Sequence, residues 1–186
     1  ARILLIADTH LGFDLPLRPR IERRRRGHDF FANFERALQP AMDGEVDLVV
    51  HGGDLLYRSR VPDLLVEQAL APLLGIAKRG IPVYIVPGNH ERSRIPLHLM
   101  TAHPLLHVFD EPRTYLCRLE TGTLALSGFP FCRSPRTQFP DLVAQTGYRD
   151  TTADATLLCL HQAIEGAQVG AHNYTFRHGA DVVRTR

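Results

Sequence analysis

Metal-capable side chains follow directly on four apolar runs of this chain: Asp8-Thr9-His10, Gly52-Gly53-Asp54, Gly88-Asn89-His90-Glu91 and the single His161. The donors are the carboxylates of Asp8 and Asp54, the amide of Asn89, and the imidazoles of His10, His90 and His161. Such a mixture of oxygen and nitrogen suits a hard-to-borderline divalent cation such as manganese, iron or zinc. Taken singly, each piece has a plainer explanation. Asp-x-His arises by chance, Gly-Gly-Asp is also a turn with a helix cap, Asn-His after Pro-Gly is also turn chemistry, and an isolated histidine is more often satisfied locally. The series, one cluster per strand end, is what points to a site. Ligands of open α/β sheets bind beyond the carboxyl ends of the strands, so the clusters are expected to converge on one rim.

Those positions require strands at residues 2–7, 46–50, 81–86 and 156–160. Each run is almost continuously apolar, the pattern of strands buried on both faces of a sheet. Helical spacing alternates with the first three. Phe30, Phe31, Phe34, Ala37 and Leu38 recur on one face of residues 28–38, and Leu64, Leu65, Ala69, Leu73, Leu74 and Ile76 within Asp63–Lys78, which opens after Pro62. Pro72 is expected to kink or divide this second helix, because it has no N–H to give and crowds the preceding turn. Residues 112–131 read as two shorter strands joined by a turn at 120–123. Alternation that passes into β-rich sequence predicts an α/β sandwich with its helices outside. Residues 166–186 show no periodicity and read as a long loop.

A chain of 186 residues can bury a substantial core as one domain. Its apolar content of 44% and charged content of 23% exclude a disordered tail. The net charge of +2 is too small to argue nucleic-acid binding, but Arg18, Arg20, Arg23, Arg24, Arg25 and Arg26 crowd one short stretch. An anion-attracting patch and a solvated helix start both account for them. The three cysteines, Cys117, Cys132 and Cys159, are odd in number and far apart, which excludes a zinc ribbon or a disulfide framework. Cys159, inside an apolar run, reads as a small buried hydrophobe. No apolar run is long enough to span a membrane and no signal peptide precedes the first strand, so a cytoplasmic location is expected. Because Ala1 leads straight into a strand, a few residues are expected upstream.

Asp8-x-His10, Gly53-Asp54, Gly88-Asn89-His90-Glu91 and His161 together resemble the signature of the calcineurin-like metallophosphoesterases, over nearly the whole chain. The resemblance implies an α/β sandwich of mixed β-sheets flanked by helices and two divalent metal ions, manganese first, with iron or zinc as alternatives. Carried over position by position, Asp8 and His10 bind the first ion, Asp54 bridges both, and Asn89 and His161 bind the second. His90 is similar to the family's catalytic histidine, which faces the scissile phosphate without binding metal. Glu91 is expected either to orient that imidazole or to lie on the surface. The family's closing Gly-His-x-His has no counterpart after His161; His172 and His178 have other flanks and read as surface-loop residues. The metallophosphoesterase domain at residues 1–186 is therefore expected to be C-terminally incomplete, to hold metal weakly and to hydrolyse poorly. The implied chemistry is metal-assisted transfer of a phosphoryl group to water.

Finer features resemble the SbcD-type nucleases, bacterial relatives of the eukaryotic double-strand-break repair nuclease. They are Asp8-Thr9-His10-Leu11-Gly12, the Arg-rich approach to Asp29-Phe30-Phe31, Gly53-Asp54-Leu55-Leu56, Val86-Pro87-Gly88-Asn89-His90-Glu91 and Leu160-His161-Gln162. This implies a DNA-repair exonuclease or endonuclease subunit that works on DNA with an SbcC-type ATPase, away from membranes, with a homodimer as a further option. Arg23, Arg24, Arg25 and Arg26 would then meet the DNA backbone, and Tyr57 the phosphate. Tyr57 departs from the histidine that some such nucleases carry there: its hydroxyl can donate to phosphate but cannot become an imidazolium. Two other readings compete. One is a phosphomonoesterase or cyclic-nucleotide phosphodiesterase on the same fold; the other is a non-catalytic binding scaffold, which usually shows eroded ligands.

Overall fold

Strands β1 (Ile3–Ile6), β2 (Leu48–His51), β3 (Val83–Ile85) and β4 (Leu106–Val108) form one all-parallel sheet in the order β1-β2-β3-β4. The computed structural model describes residues 1–14, 26–91, 103–169, 174–175 and 182–184. It divides into two units, Ala1–Val108 and Phe109–Arg186, and this sheet belongs to the first. Parallel neighbours require crossovers. Helix α1 (Gly27–Met42) lies between β1 and β2 in the chain, and α2 (Asp63–Lys78) between β2 and β3. The two helices pack on one another, α1 also on β1, and α2 on β3 and β4.

The apolar stripe of each helix explains that packing. Phe34, Leu38 and Ala41 of α1 and Leu65, Ala69, Leu73 and Ile76 of α2 meet Leu4, Ile6, Val49, Val83 and Ile85 of the sheet. Each fully buried leucine or isoleucine, such as Leu73 or Ile76, contributes about 1.5–3 kcal/mol relative to exposure. Side chains alternate between the faces of a strand, so the other face carries the register row Leu5, Val50, Tyr84 and His107. Tyr84 and His107 stack there with ring centroids 4.7 Å apart. No described helix is long and apolar enough to cross a membrane.

Two sequence expectations for this unit are corrected. Pro72 does not divide α2, which runs on to Lys78, and α1 likewise continues past Leu38 through Pro40 to Met42. Buried residues beyond each proline, Leu73 and Ile76 in one helix and Ala41 in the other, tie the later turns to the core. Strand β1 is not buried on both faces: it is a sheet edge, and Leu5 is 67% exposed.

In the second unit, β5 (Arg113–Leu119) and β6 (Gly122–Gly128) form the expected hairpin, with Leu119 opposite Gly122. Gly122 has φ 131°, a conformation open mainly to glycine. Helix α3 (Pro135–Gln145) follows, with Pro135 in its first turn. Strand β7 (Ala155–Cys159) then joins β6 in parallel to complete the mixed sheet β5-β6-β7. Here too the reading changes. The apolar run 156–160 predicts a strand buried on both faces, yet β7 forms the edge of the sheet β5-β6-β7 and leaves Leu158 42% exposed. An unbroken apolar run does not distinguish a central strand from an edge. Cys159 is buried as read, and none of the cysteines is in a disulfide. The supposed loop from 166 onward contains short strands. β8 (Ala163–Ile164) pairs in parallel with β11 (Val182–Val183), and β9 (Gln168–Val169) pairs antiparallel with β10 (Tyr174–Thr175). Two residues are too few to show a period in sequence.

Candidate metal centre

The loops after β1 and β2 are laced together through their backbones. Asp8 N–H donates to the Gly53 carbonyl at 2.9 Å, His10 N–H to that of Asp54 at 3.0 Å, Leu11 N–H to that of Leu55 at 2.8 Å, and Tyr57 N–H to that of Leu11 at 3.2 Å. Asp8, His10 and Asp54 have φ of 55°, 45° and 52°. This left-handed region costs a side-chain-bearing residue roughly 1–2 kcal/mol, although Asp and His enter it more readily than most. The lacing holds three metal-capable residues in a conformation their sequence would not choose, and the cost falls where the chemistry is expected.

His51, which the sequence reading passed over, braces the same two loops from below. It is fully buried. Gly53 N–H donates to its Nδ1 at 3.3 Å, so the proton sits on Nε2, which donates to Thr9 Oγ1 at 3.1 Å. Thr9 Oγ1 in turn donates to the Leu55 carbonyl at 3.2 Å. The available signal was a single imidazole closing an otherwise apolar strand before Gly52-Gly53.

Asp54 is at the centre of the side-chain group. It is buried, and its Oδ1 accepts the His90 backbone N–H at 3.0 Å. Its Oδ2 stands 4.0 Å from His10 Nε2 and 3.9 Å from His90 Nε2, while His10 Nε2 is 3.9 Å from Asp8 Oδ1. The His10 and His90 rings meet edge to face, with centroids 5.0 Å apart. Donor atoms of His10, Asp54 and His90 all lie within 4.8 Å of one another. Separations of 3.9–4.0 Å are too long for hydrogen bonds. They fall inside the ~4.2 Å that two donors can span when each lies ~2.1 Å from a shared cation. The residues therefore fit a divalent metal in donor chemistry, and each of these pairs is close enough to share one.

His90 and Glu91 follow β3. The His90 Nδ1 donates to the Leu56 carbonyl at 3.1 Å, which leaves Nε2 as the nitrogen facing Asp54. Glu91 corrects the expectation made of it: it is neither on the surface nor bonded to the His90 ring. It is 6% exposed, and its Oε2 accepts the N–H groups of Asp54 at 2.9 Å and Gly88 at 2.8 Å while Oε1 accepts that of Leu56 at 2.9 Å. Burial raises its carboxyl pKa above the ordinary value, and the Asp54 charge adds a smaller push; the three amides act in the opposite direction.

The remaining expected residues are placed as follows. Asn89 lies between Gly88 and His90 with an exposed side chain. His161 lies two residues past β7 in the second unit, half-buried, with its ring 6.3 Å from that of Phe131. Tyr57 is half-buried against the first unit's core, with the Arg58 guanidinium 4.8 Å over its ring. Arg26 is exposed, but its Nε donates to Asp29 Oδ2 at 2.9 Å and its backbone N–H to Asp14 Oδ2 at 3.1 Å. Arg23, Arg24, Arg25, His172 and His178 lie outside the described residues.

A strand–loop rim of this kind, with Asp-x-His, Gly-Asp and Gly-Asn-His-Glu on successive strand ends, defines a metallophosphoesterase. The chain belongs to the calcineurin-like phosphoesterase family, which residues 1–180 match. Its fold class is accordingly α/β, with mixed sheets flanked by helices. Within the family it lies on the Mre11/SbcD-type side. The DNA double-strand break repair protein Mre11 of Haloferax volcanii is 44% identical over 95 residues, 50% of this chain and 20% of the relative. The Mre11 protein of Aeropyrum pernix is 30% identical over 145 residues, 72% of this chain and 34% of the relative. The matches span between 14% and 34% of the length of the Mre11 relatives. Among solved structures, TT1561 of Thermus thermophilus shares the fold at a TM-score of 0.56 and 10% identity, over 88% of this chain and 68% of that one.

Proposed function

We propose that this chain carries the catalytic centre of a metal-dependent phosphodiesterase that acts on DNA in double-strand-break repair. The observation that carries the reading is the convergence of His10, Asp54 and His90 on one small volume; the likeness to Mre11 proteins supplies the substrate class. Divalent cations held here, two in this proposal and manganese first, would supply Lewis-acid polarisation of a phosphate ester and a water of lowered pKa. Asp54 Oδ2, set between the two imidazoles, and His10 supply ligands, with Asp8 beside them. Asn89 and His161 enter as ligands through the family motif. His90, whose Nδ1–H is engaged by Leu56, keeps Nε2 for chemistry: as an imidazolium it stabilises charge on the phosphate or gives its proton to the leaving oxygen. An SbcC-type ATPase partner and a cytoplasmic location belong to the same proposal.

The test is hydrolysis of double-stranded DNA, of bis-nitrophenyl phosphate and of the monoester nitrophenyl phosphate with manganese, for the full-length protein and its Asp54→Asn variant. Manganese-dependent cleavage of both diesters, abolished by the substitution, is the expected result. Cleavage of a monoester alone would move the protein to the phosphomonoesterases, and no turnover on any of these would leave a binding scaffold.

A further inference from the structure

Glu91 sits next to the site without joining the group of metal-capable donors. Its two oxygens are instead engaged by backbone amides from both neighbouring loops, those of Asp54 and Leu56 after β2 and that of Gly88 after β3. We propose that Glu91 is the positioning residue of this centre, a buried clamp that locks the β2 loop to the β3 loop and thereby sets Asp54 Oδ2 against His90 Nε2.

The consequence follows from what else those amides belong to. Leu56 is held from both sides: its N–H is on Glu91 Oε1 and its carbonyl receives His90 Nδ1–H. Asp54 is held the same way, with its N–H on Glu91 Oε2 and its Oδ1 receiving the His90 N–H. The clamp therefore fixes the carbonyl that dictates which nitrogen of His90 carries the proton, and also the backbone from which the Asp54 carboxylate projects. A carboxylate is required because it is acceptor-only and can take several N–H groups at once. Glutamine offers one acceptor oxygen, and its NH2 would face an amide donor, so part of the clamp becomes repulsive. Bonds from amides to a charged acceptor are stronger than neutral ones and short, as these are.

The effect on metal affinity rests on the metal-centre reading above; the clamp itself does not. The experiment therefore pairs nitrogen-15 NMR of the metal-free protein with manganese calorimetry, on the wild type, Glu91→Gln, Glu91→Ala and Asp54→Asn. In the wild type the His90 ring should show one tautomer, protonated at Nδ1. Both Glu91 variants should average the two tautomers and exchange the Leu56 and Gly88 amides roughly tenfold faster or more, the scale set by losing a hydrogen bond to a charged group. Manganese affinity should fall ~10–100-fold, as for loss of a ligand-orienting partner, while cooperative melting is kept. Unchanged His90 nitrogens in both variants would overturn the proposal. So would loss of the fold in both, which would make Glu91 a folding residue. If Asp54→Asn keeps full manganese affinity, the metal-centre reading fails, and the metal-free His90 nitrogens still decide the role of Glu91.

Discussion

Asp54 and His90 approach one another at two points: the His90 amide donates to Asp54 Oδ1 at 3.0 Å, and His90 Nε2 stands 3.9 Å from Asp54 Oδ2. The first contact fixes the rotation of the carboxylate. The second leaves the other oxygen and the imidazole facing one another across a gap too wide for a hydrogen bond. One short loop thus supplies both the restraint on Asp54 and a group that shares its space.

That approach depends on Gly88, where a β-carbon would run into the Asp54 amide nitrogen and Oδ1. The first is backbone, and the second is held in place by the His90 N–H. Gly88→Ala is expected to destabilise the fold by about 1–3 kcal/mol, the usual cost of overpacking, and to weaken manganese binding with it. Urea unfolding and calorimetry check this; a variant that matches the wild type in both would show that the loops yield without consequence.

His107 gives the first unit an acid sensitivity unrelated to the metal. Burial beside Tyr84 lowers its pKa below 6.5. The unfolded chain, with histidine near ~6.5, takes up the proton first. The associated stability is present above that value and is lost as pH falls through the folded pKa. His107→Phe should keep the stack on Tyr84 and flatten this component of the acid dependence in denaturant titrations carried from neutral pH down past ~6.5. An unchanged slope would place the acid sensitivity elsewhere.

Cys159 should be inert in the native state. Burial pushes its thiol up to about 11, so almost no thiolate, the reactive form, exists at neutral pH. Iodoacetamide followed by peptide mass spectrometry should find Cys159 unmodified in the folded protein and alkylated in urea. Rapid native alkylation would mean that the edge strand β7 opens readily.

What could be read from the sequence was the local chemistry, and what could not was its context. Asp8, His10, Asp54 and His90 are recognisable because each follows an apolar run, and strand ends are where such a fold presents ligands. The strand at 156–160 looked the same, yet it belongs to another sheet, because sheet membership is decided by pairing partners far away in the chain. Glu91 was undervalued for a similar reason. A charged residue beside a turn is usually solvated, and only the folding of Asp54, Leu56 and Gly88 around it creates three amides that need an acceptor. Left-handed backbone at Asp8, His10 and Asp54 likewise has no sequence mark beyond residue types that tolerate it.

The arginine run should divide in function. Arg26 is already paired with Asp29, so Arg26→Ala is expected to change DNA affinity little. Replacing Arg23, Arg24 and Arg25 together should weaken DNA binding and lower the slope of log affinity against log salt by up to about 2.7, some 0.9 per phosphate contact. Turnover of bis-nitrophenyl phosphate should be unaffected. A triple variant with the wild-type salt slope would make the run a solvated surface.

His90 poses the sharpest choice, because the geometry permits two roles. Its Nε2 lies as close to Asp54 Oδ2 as His10 Nε2 does, 3.9 Å against 4.0 Å, so distance alone would allow a ligand. The expected role is catalytic, with Nδ1–H held by Leu56 and Nε2 left to exchange a proton with the substrate. Under that role, His90→Gln should lower turnover by ~10²–10⁴-fold, the range for removing a general acid or base, while manganese affinity stays close to that of the wild type. His10→Gln should do the reverse in order of cause, losing manganese first and activity as a result, so that raised manganese restores part of the rate. Calorimetry and rate measurements over a manganese titration separate the two patterns. If His90→Gln loses manganese affinity as steeply as His10→Gln and is rescued by added metal, His90 is a ligand and the proton must come from another group.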